Sequence, residues 1–224
     1  RHAVRQGPQE ILAMLALALN RFLVVRPVAP TRKRISPSQR KRSLVSLGTP
    51  GPTGFSEDFP GGPVLFRNGK PMDTLPIAGQ LLAMKMNPLS IDHTRFIVCE
   101  SADGKRIGFG QIRKLSDDMV ESETLWELAS IYVDEQWRGD GLGSSIVRRL
   151  LKRHEQQGNA FSNTYLLTLE PTSSWYERFG FQSVAKTDIP SQMAFEVKAG
   201  EWLSAVLGNR LLCMRGSSRA QILE

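Results

Sequence analysis

Cysteine is scarce in this 224-residue chain: it holds two, Cys99 and Cys213, each standing alone. No CxxC pair and no His/Cys cluster accompanies them, so neither a disulfide framework nor a zinc site is indicated. Two isolated thiols fit a reducing compartment. Long apolar runs are also missing. The longest, residues 11–19, has nine residues, against the roughly 20 that a membrane-spanning helix needs. Collagen, coiled coil and wholesale disorder are excluded by an ordinary globular composition, 41% hydrophobic and 23% charged,. No internal repeat is visible.

The third shortage is local. Residues 11–56 contain no Asp or Glu at all. Residues 1–56 carry 10 Lys/Arg against the single acid Glu10, a balance of +9, while residues 57–224 carry 19 basic and 21 acidic side chains, a balance of −2. The net +7 therefore belongs to the N-terminal stretch, and the remainder is slightly acidic. A nucleic-acid-binding domain would carry the basic patch on its own surface, so the distribution argues against that function. An acid-free stretch rich in Arg, Ser, Thr and Pro has the composition of an organelle transit peptide. Import into a plastid (chloroplast) stroma is expected, with the mitochondrial matrix as the alternative. The competing reading is a basic arm that touches RNA or an anionic membrane. Met14 is the first methionine and a candidate initiator.

Two turn-rich stretches follow, residues 48–54 and Pro60-Gly61-Gly62-Pro63,. They divide the chain into a leader and linker over 1–54, a domain over 55–215 and a tail over 216–224. About 165 residues bury one good core. A helix is expected from Asp73 to Met86, closed by Asn87-Pro88. Residues 95–100 and 106–112 read as strands around Asp103-Gly104. Residues 125–133 read as a third strand and residues 142–157 as a helix. Its apolar face is Ile146, Val147, Leu150 and Leu151, with Arg148, Arg149, Lys152, Arg153 and His154 turned to solvent. A strand over 164–169, a short helix over 173–179 and a hairpin of 181–185 with 193–197 complete the sheet. Residues 201–207 form an amphipathic piece and 211–214 a last apolar run. The mixed order predicts an α/β or α+β domain around a central mixed sheet.

The informative segment is Val133-Asp134-Glu135-Gln136-Trp137-Arg138-Gly139-Asp140-Gly141-Leu142-Gly143. A strand runs into a glycine-spaced loop that opens a helix. Glycines at alternate positions let backbone approach a ligand, and N–H groups at a helix start attract anions such as a pyrophosphate. The spacing is not that of GxGxxG, and the Gly-Lys-Ser/Thr of a P-loop is absent. A plain tight turn is the competing explanation.

Arg138-x-x-Gly141-x-Gly143 resembles the Q/R-x-x-G-x-G/A motif of the GNAT acetyltransferase superfamily. Trp175-Tyr176-Glu177-Arg178-Phe179-Gly180-Phe181, 32 residues on, is similar to that family's FYEKxGF element. The resemblance covers residues 55–197. Met86–Ile112 and the ELASIYV strand look most like the cyanobacterial and plastid members.

The resemblance implies a GNAT-type acyl-CoA N-acyltransferase fold with splayed central strands. It implies acetyl-CoA as co-substrate and no metal. The backbone of Ile131 and Val133 would meet the pantetheine arm. The N–H groups of Arg138, Gly139, Asp140, Gly141, Leu142, Gly143 and Ser144 would hold the pyrophosphate. A backbone amide near Ile131 or Tyr132 would polarise the thioester carbonyl. Glu127 occupies the place of a family glutamate and is the candidate base, with Glu121 and Glu123 as fallbacks. Its competing reading is an outward-facing strand residue. Tyr176 matches the family's general acid, its competing reading being a packed aromatic. The family's Asn before the tyrosine helix is missing, and Thr172 or Ser173 would stand in. His93 and His154 match no family site, and Cys99 is expected in the core. The implied function is acetyl transfer to a primary amine: a protein N-terminus, a lysine or a small amine. The alternative is a non-catalytic acyl-CoA-binding or protein-interaction module on the same fold.

Overall fold

Apolar and β-branched side chains concentrate between residues 96 and 133, and the sheet is centred there. The computed structural model describes residues 54–83, 91–115, 124–193, 197 and 210–217. The expected leader, Glu121, Glu123, the piece at 201–207 and most of the tail lie outside these residues. Eight strands are present: β1 (Phe55–Phe59), β2 (Gly62–Asn68), β3 (Phe96–Ser101), β4 (Arg106–Lys114), β5 (Trp126–Val133), β6 (Thr164–Leu169), β7 (Phe181–Ser183) and β8 (Leu211–Gly216). They form one mixed sheet in the order β1-β2-β3-β4-β5-β6-β8-β7. Only the β5–β6 pair is parallel. Three α-helices accompany the sheet among the described residues: α1 (Thr74–Ala83), α2 (Leu142–Gln156) and α3 (Glu170–Glu177).

The helices divide between the two sheet faces. Helix α2 buries Ile146, Val147, Leu150 and Leu151 against Ile112, Leu128 and Ile131, and Tyr176 of α3 joins the same core. Each such aliphatic side chain contributes roughly 1.5–3 kcal/mol by leaving water. Helix α1 covers the opposite face, where Ile77 and Leu81 pack on Phe96, Val98, Phe109 and Tyr132. Gly110 sets how closely α2 approaches: a Cβ there would lie 2.6 Å from Ile131 Cδ1 and 3.0 Å from both Ile146 Cγ2 and Leu150 Cδ1.

The structure corrects several expectations. Pro60-Gly61-Gly62-Pro63, read as a turn or linker signal just inside the domain start, is the turn of a β1–β2 hairpin that the sequence reading did not anticipate. The partner of β7 is β8, not residues 193–197; Met193 lies in a 3-10 turn and residues 194–196 are outside the described set. The last apolar run enters the sheet between β6 and β7. Arg149 and Arg153 do not turn to solvent. The Arg149 guanidinium lies 4.2 Å from the Phe66 ring centroid and pairs with Glu57 at 3.0 Å. Arg153 donates to the carbonyls of Phe96, at 3.1 Å, and Arg95.

His154 is likewise buried, 4% exposed, against the solvated position expected. It follows Val147 and Leu150 at helical spacing, its Nε2 lies 3.2 Å from Thr164 Oγ1, and its ring meets Trp126 edge-on at 4.9 Å. Burial, then the Arg153 charge, lowers its pKa to about 4. The unfolded chain thus binds the extra proton between about pH 6.5 and 4, so stability falls as pH drops through that window. The wild type is expected to lose roughly 2 kcal/mol from this group between pH 7 and pH 5. Urea denaturation at the two pH values checks this beside His154→Gln. An equal loss in the variant would refute the assignment.

Candidate active site

The parallel strands β5 and β6 pair only at Trp126↔Thr164 and Glu127↔Tyr165. β6 then follows β8 along its other edge to Leu169↔Leu211. The edge of residues 128–133 that faces β6 has no strand partner among the described residues. A backbone edge left open inside a sheet offers N–H and C=O groups to an extended ligand. The central strands therefore splay as the motifs imply.

A bulge marks the same strand. Phe109 pairs with Tyr132 and Gln111 with Ala129, so Gly110 faces both Ser130 and Ile131. Ser130 has φ 56°, the one positive-φ non-glycine among the described residues. Such bulges bend a strand and re-aim its backbone groups.

β5 then delivers the chain into the glycine loop. Asp134 N donates to Ile107 O at 2.7 Å, and Asp134 Oδ1 caps the following 3-10 turn by accepting from Gln136 N at 3.2 Å. Arg138 Nε donates to Val133 O at 2.9 Å, folding the loop back on its strand. Gly139 and Gly141 have φ of 89° and 92°, values that side chains with a Cβ rarely adopt. Gly141 is the N-cap of α2 and supplies no side-chain cap. The first-turn amides of Leu142, Gly143 and Ser144 have no intrahelical acceptor, and the positive end of the helix dipole lies there. These amides and the open edge at Ile131 and Val133 fit a thioester arm ending in a pyrophosphate.

The two motifs meet at this end. A Cβ on Gly143 would lie 3.5 Å from Trp175 Cζ2 and 3.6 Å from Val133 Cγ2. The Trp175 ring stands edge-on to Tyr176, centroids 4.7 Å apart. Tyr176 is buried, and burial pushes its phenol well above the ordinary tyrosine value. Thr172 and Ser173 turn their hydroxyls back to their own helix: Thr172 Oγ1 donates to Leu169 O at 2.8 Å and Ser173 Oγ to Glu170 O at 2.9 Å.

Glu127 occupies the other face. Its neighbours Trp126 and Leu128 pack with the α2 core, so strand alternation turns Glu127 to the α1 side,. It is 2% exposed, which answers the outward-facing alternative. Arg113 Nε and Nη2 each lie 2.7 Å from Glu127 Oε2. Burial, reinforced by the Glu127 charge, pushes the Cys213 thiol up to about 12. Cys99 is fully buried, as expected. Gln111, Arg113 and Ser130 were not singled out from the sequence. The signal was the alternation of Gln111 and Arg113 with Gly110 and Ile112, which puts two polar side chains on the strand face that also carries Phe109,.

Residues 92–183 match an acetyltransferase (GNAT) domain. The match runs from the turn before β3 through β7 and contains the bulge, the glycine loop, α2 and α3. It supports a GNAT acetyltransferase domain over these residues, set in a mixed α+β sheet. Solved structures similar to the chain include N-acetylglutamate synthase from Neisseria gonorrhoeae, complexed with coenzyme A and N-acetyl-glutamate (18% identity, 69% of this chain and 35% of that one, TM-score 0.46). Another is a Mycobacterium tuberculosis protein in complex with CoA (21% identity, 67% and 98%, TM-score 0.47). A third is a GNAT-family acetyltransferase from Listeria monocytogenes (16% identity, 71% and 98%, TM-score 0.47). The chain spans about a third of the length of the Neisseria protein. Among curated proteins it matches none. Among the described residues no group of three or more His, Cys, Asp or Glu is placed to hold a metal ion.

Proposed function

We propose that this GNAT domain transfers an acetyl group from acetyl-CoA to a primary amine. The observation that carries the proposal is the splay of β5 from β6 directly ahead of an uncapped helix start. The backbone of Ile131 and Val133 would hold the pantetheine arm, and the amides of residues 138–144 the pyrophosphate. Acetyl-CoA supplies an activated acyl carbon. A C–N bond forms there as the C–S bond breaks.

The protein's own groups manage charge and protons. A backbone amide at the bulge, Ile131 or Tyr132, polarises the carbonyl. Glu127 takes the proton the attacking amine loses, directly or through a water. Tyr176 gives a proton to the departing sulfur. The two groups sit on opposite faces of the sheet, which suits proton removal on the acceptor side and delivery on the thiol side.

The test is calorimetric titration of the full chain with acetyl-CoA, followed by a mass-spectrometric acceptor screen. The pool holds peptides with free N-termini, lysine peptides and 1,4-diaminobutane. Binding and acetylation of one class are expected. Glu127→Gln should lower kcat about 100-fold or more with acetyl-CoA affinity retained. Binding without turnover on any amine would overturn the enzymatic reading in favour of a binding module. Absence of binding would overturn both.

A further inference from the structure

The face of the sheet toward α1 carries a short polar row among apolar neighbours. Gln111 of β4 pairs with Ala129, and Arg113 pairs with Glu127 one step further along the same face. Gln111 is 2% exposed. Its Nε2 donates to Ser130 Oγ at 3.2 Å. Its Oε1 has no hydrogen-bond partner and is the one buried side-chain polar atom so found among the described residues. An unpaired buried carbonyl costs on the order of 1–3 kcal/mol, so folding alone does not favour a glutamine here. An apolar side chain of the same length would fill the space without that cost.

The position of this orphan acceptor is informative. Gln111 follows Gly110, the residue that faces the bulge of Ser130 and Ile131. Ser130, which holds the amide, is the bulge residue at φ 56°. Glu127 lies on the same face two residues before Ala129, the partner of Gln111. Gln111 and Glu127 thus share one sheet face beside the bulge, opposite the face that carries Tyr176.

We infer that Gln111 is an acceptor-positioning residue: its Oε1 accepts a hydrogen bond from an N–H of the incoming primary amine. The inference rests on the acetyltransferase reading and adds the acceptor side to it. A neutral primary amine has two N–H bonds. One proton leaves toward Glu127 as the C–N bond forms, and the second N–H remains bonded to Gln111. A secondary amine has only the first, so it leaves the Gln111 oxygen unpaired and buried. Sites built this way discriminate strongly against analogues that lack the donor. The site is therefore selective for primary over N-methylated amines.

The experiment uses the full chain and the same pool, each acceptor beside its N-methyl counterpart. The wild type should favour the primary amine at least about tenfold in kcat/KM. Gln111→Met should raise the primary-amine KM about tenfold and bring the two acceptors within about threefold. Its melting temperature should match or exceed that of the wild type, because the orphan carbonyl is gone. Its acetyl-CoA Kd should stay within about twofold. Ser130→Gly relieves the positive φ and frees the Gln111 amide, so an intermediate KM with an intact fold is expected. Undiminished selectivity in Gln111→Met overturns the inference and leaves the acetyltransferase reading standing. So does a fall in melting temperature with unchanged kinetics, which marks Gln111 as merely structural. A wild type that binds no acetyl-CoA and acetylates no amine overturns both.

Discussion

On the proposed mechanism, Tyr176→Phe is expected to lower kcat about 100-fold while leaving the acetyl-CoA Kd and the melting temperature close to wild type. The magnitude sits at the low end of the range for general acid catalysis. A thiol with a pKa near 8.5 leaves tolerably well without help, so a proton from Tyr176 would accelerate a step that proceeds slowly in its absence. The buried phenol retains its proton across neutral pH, which is what a donor requires. Loss of the hydroxyl keeps the ring contacts with Trp175 and Phe181, so packing is preserved. Stopped-flow detection of free thiol checks the result. A kcat within threefold of wild type removes Tyr176 from the mechanism and returns it to the packed-aromatic role.

The largest effect on stability is expected at Arg67. This side chain is 8% exposed and joins three elements. Its Nη1 lies 2.6 Å from Asp73 Oδ2 and its Nη2 2.9 Å from Asp73 Oδ1, at the entry to α1, while Nε reaches Glu100 Oε1 on β3 at 2.9 Å. Asp73 is 4% exposed and also accepts from Lys70 N at 2.7 Å, closing the turn that starts α1. Arg67→Met leaves the Asp73 carboxylate buried with only Arg106, at 3.5 Å, as an ionic partner. Breaking a buried pair from one side costs about 3–5 kcal/mol. For a domain of this size that lowers the melting temperature by roughly 6–20 °C.

The hydrogen bond from Arg67 holds the Asp73 carboxyl below its usual range. A carboxyl with a lowered folded pKa contributes stability above its unfolded pKa, and that contribution is lost as pH falls through the folded value. Part of the wild-type acid sensitivity below about pH 4 should therefore vanish in Arg67→Met. Thermal scans at pH 7 and pH 3 test both statements. Arg67→Met/Asp73→Asn should recover part of the loss, since it removes the stranded charge. A single variant melting within 2 °C of wild type would show that the network contributes nothing net.

The glycine loop and the helix it opens were legible because their signals are local. A positive-φ loop needs glycine, and Gly139 and Gly141 stand where φ is positive. An amphipathic helix announces itself by its period, and the expected 142–157 differs from the observed Leu142–Gln156 by one residue. The 3.6-residue period also placed His154 on the buried face; its polarity outweighed that signal and gave the wrong position. The β1–β2 hairpin was hidden because its turn, rich in Pro and Gly, has the composition of a linker.

The strand–loop–helix unit around residues 133–144, the helix that carries Tyr176 and the mixed class of the sheet could be read from residues alone, since each depends on conformational preference or spacing over a few residues. Tertiary structure decided the rest. That β8 would enter between β6 and β7 depends on pairing across more than 40 residues of chain from the nearer strand edges of β6. That Glu127 would meet Arg113, and that Gln111 would keep an unpaired oxygen beside the bulge, depends on strand register. Register is set by which side chains the two sheet faces bury together, a property of the packed whole that no short stretch of sequence encodes.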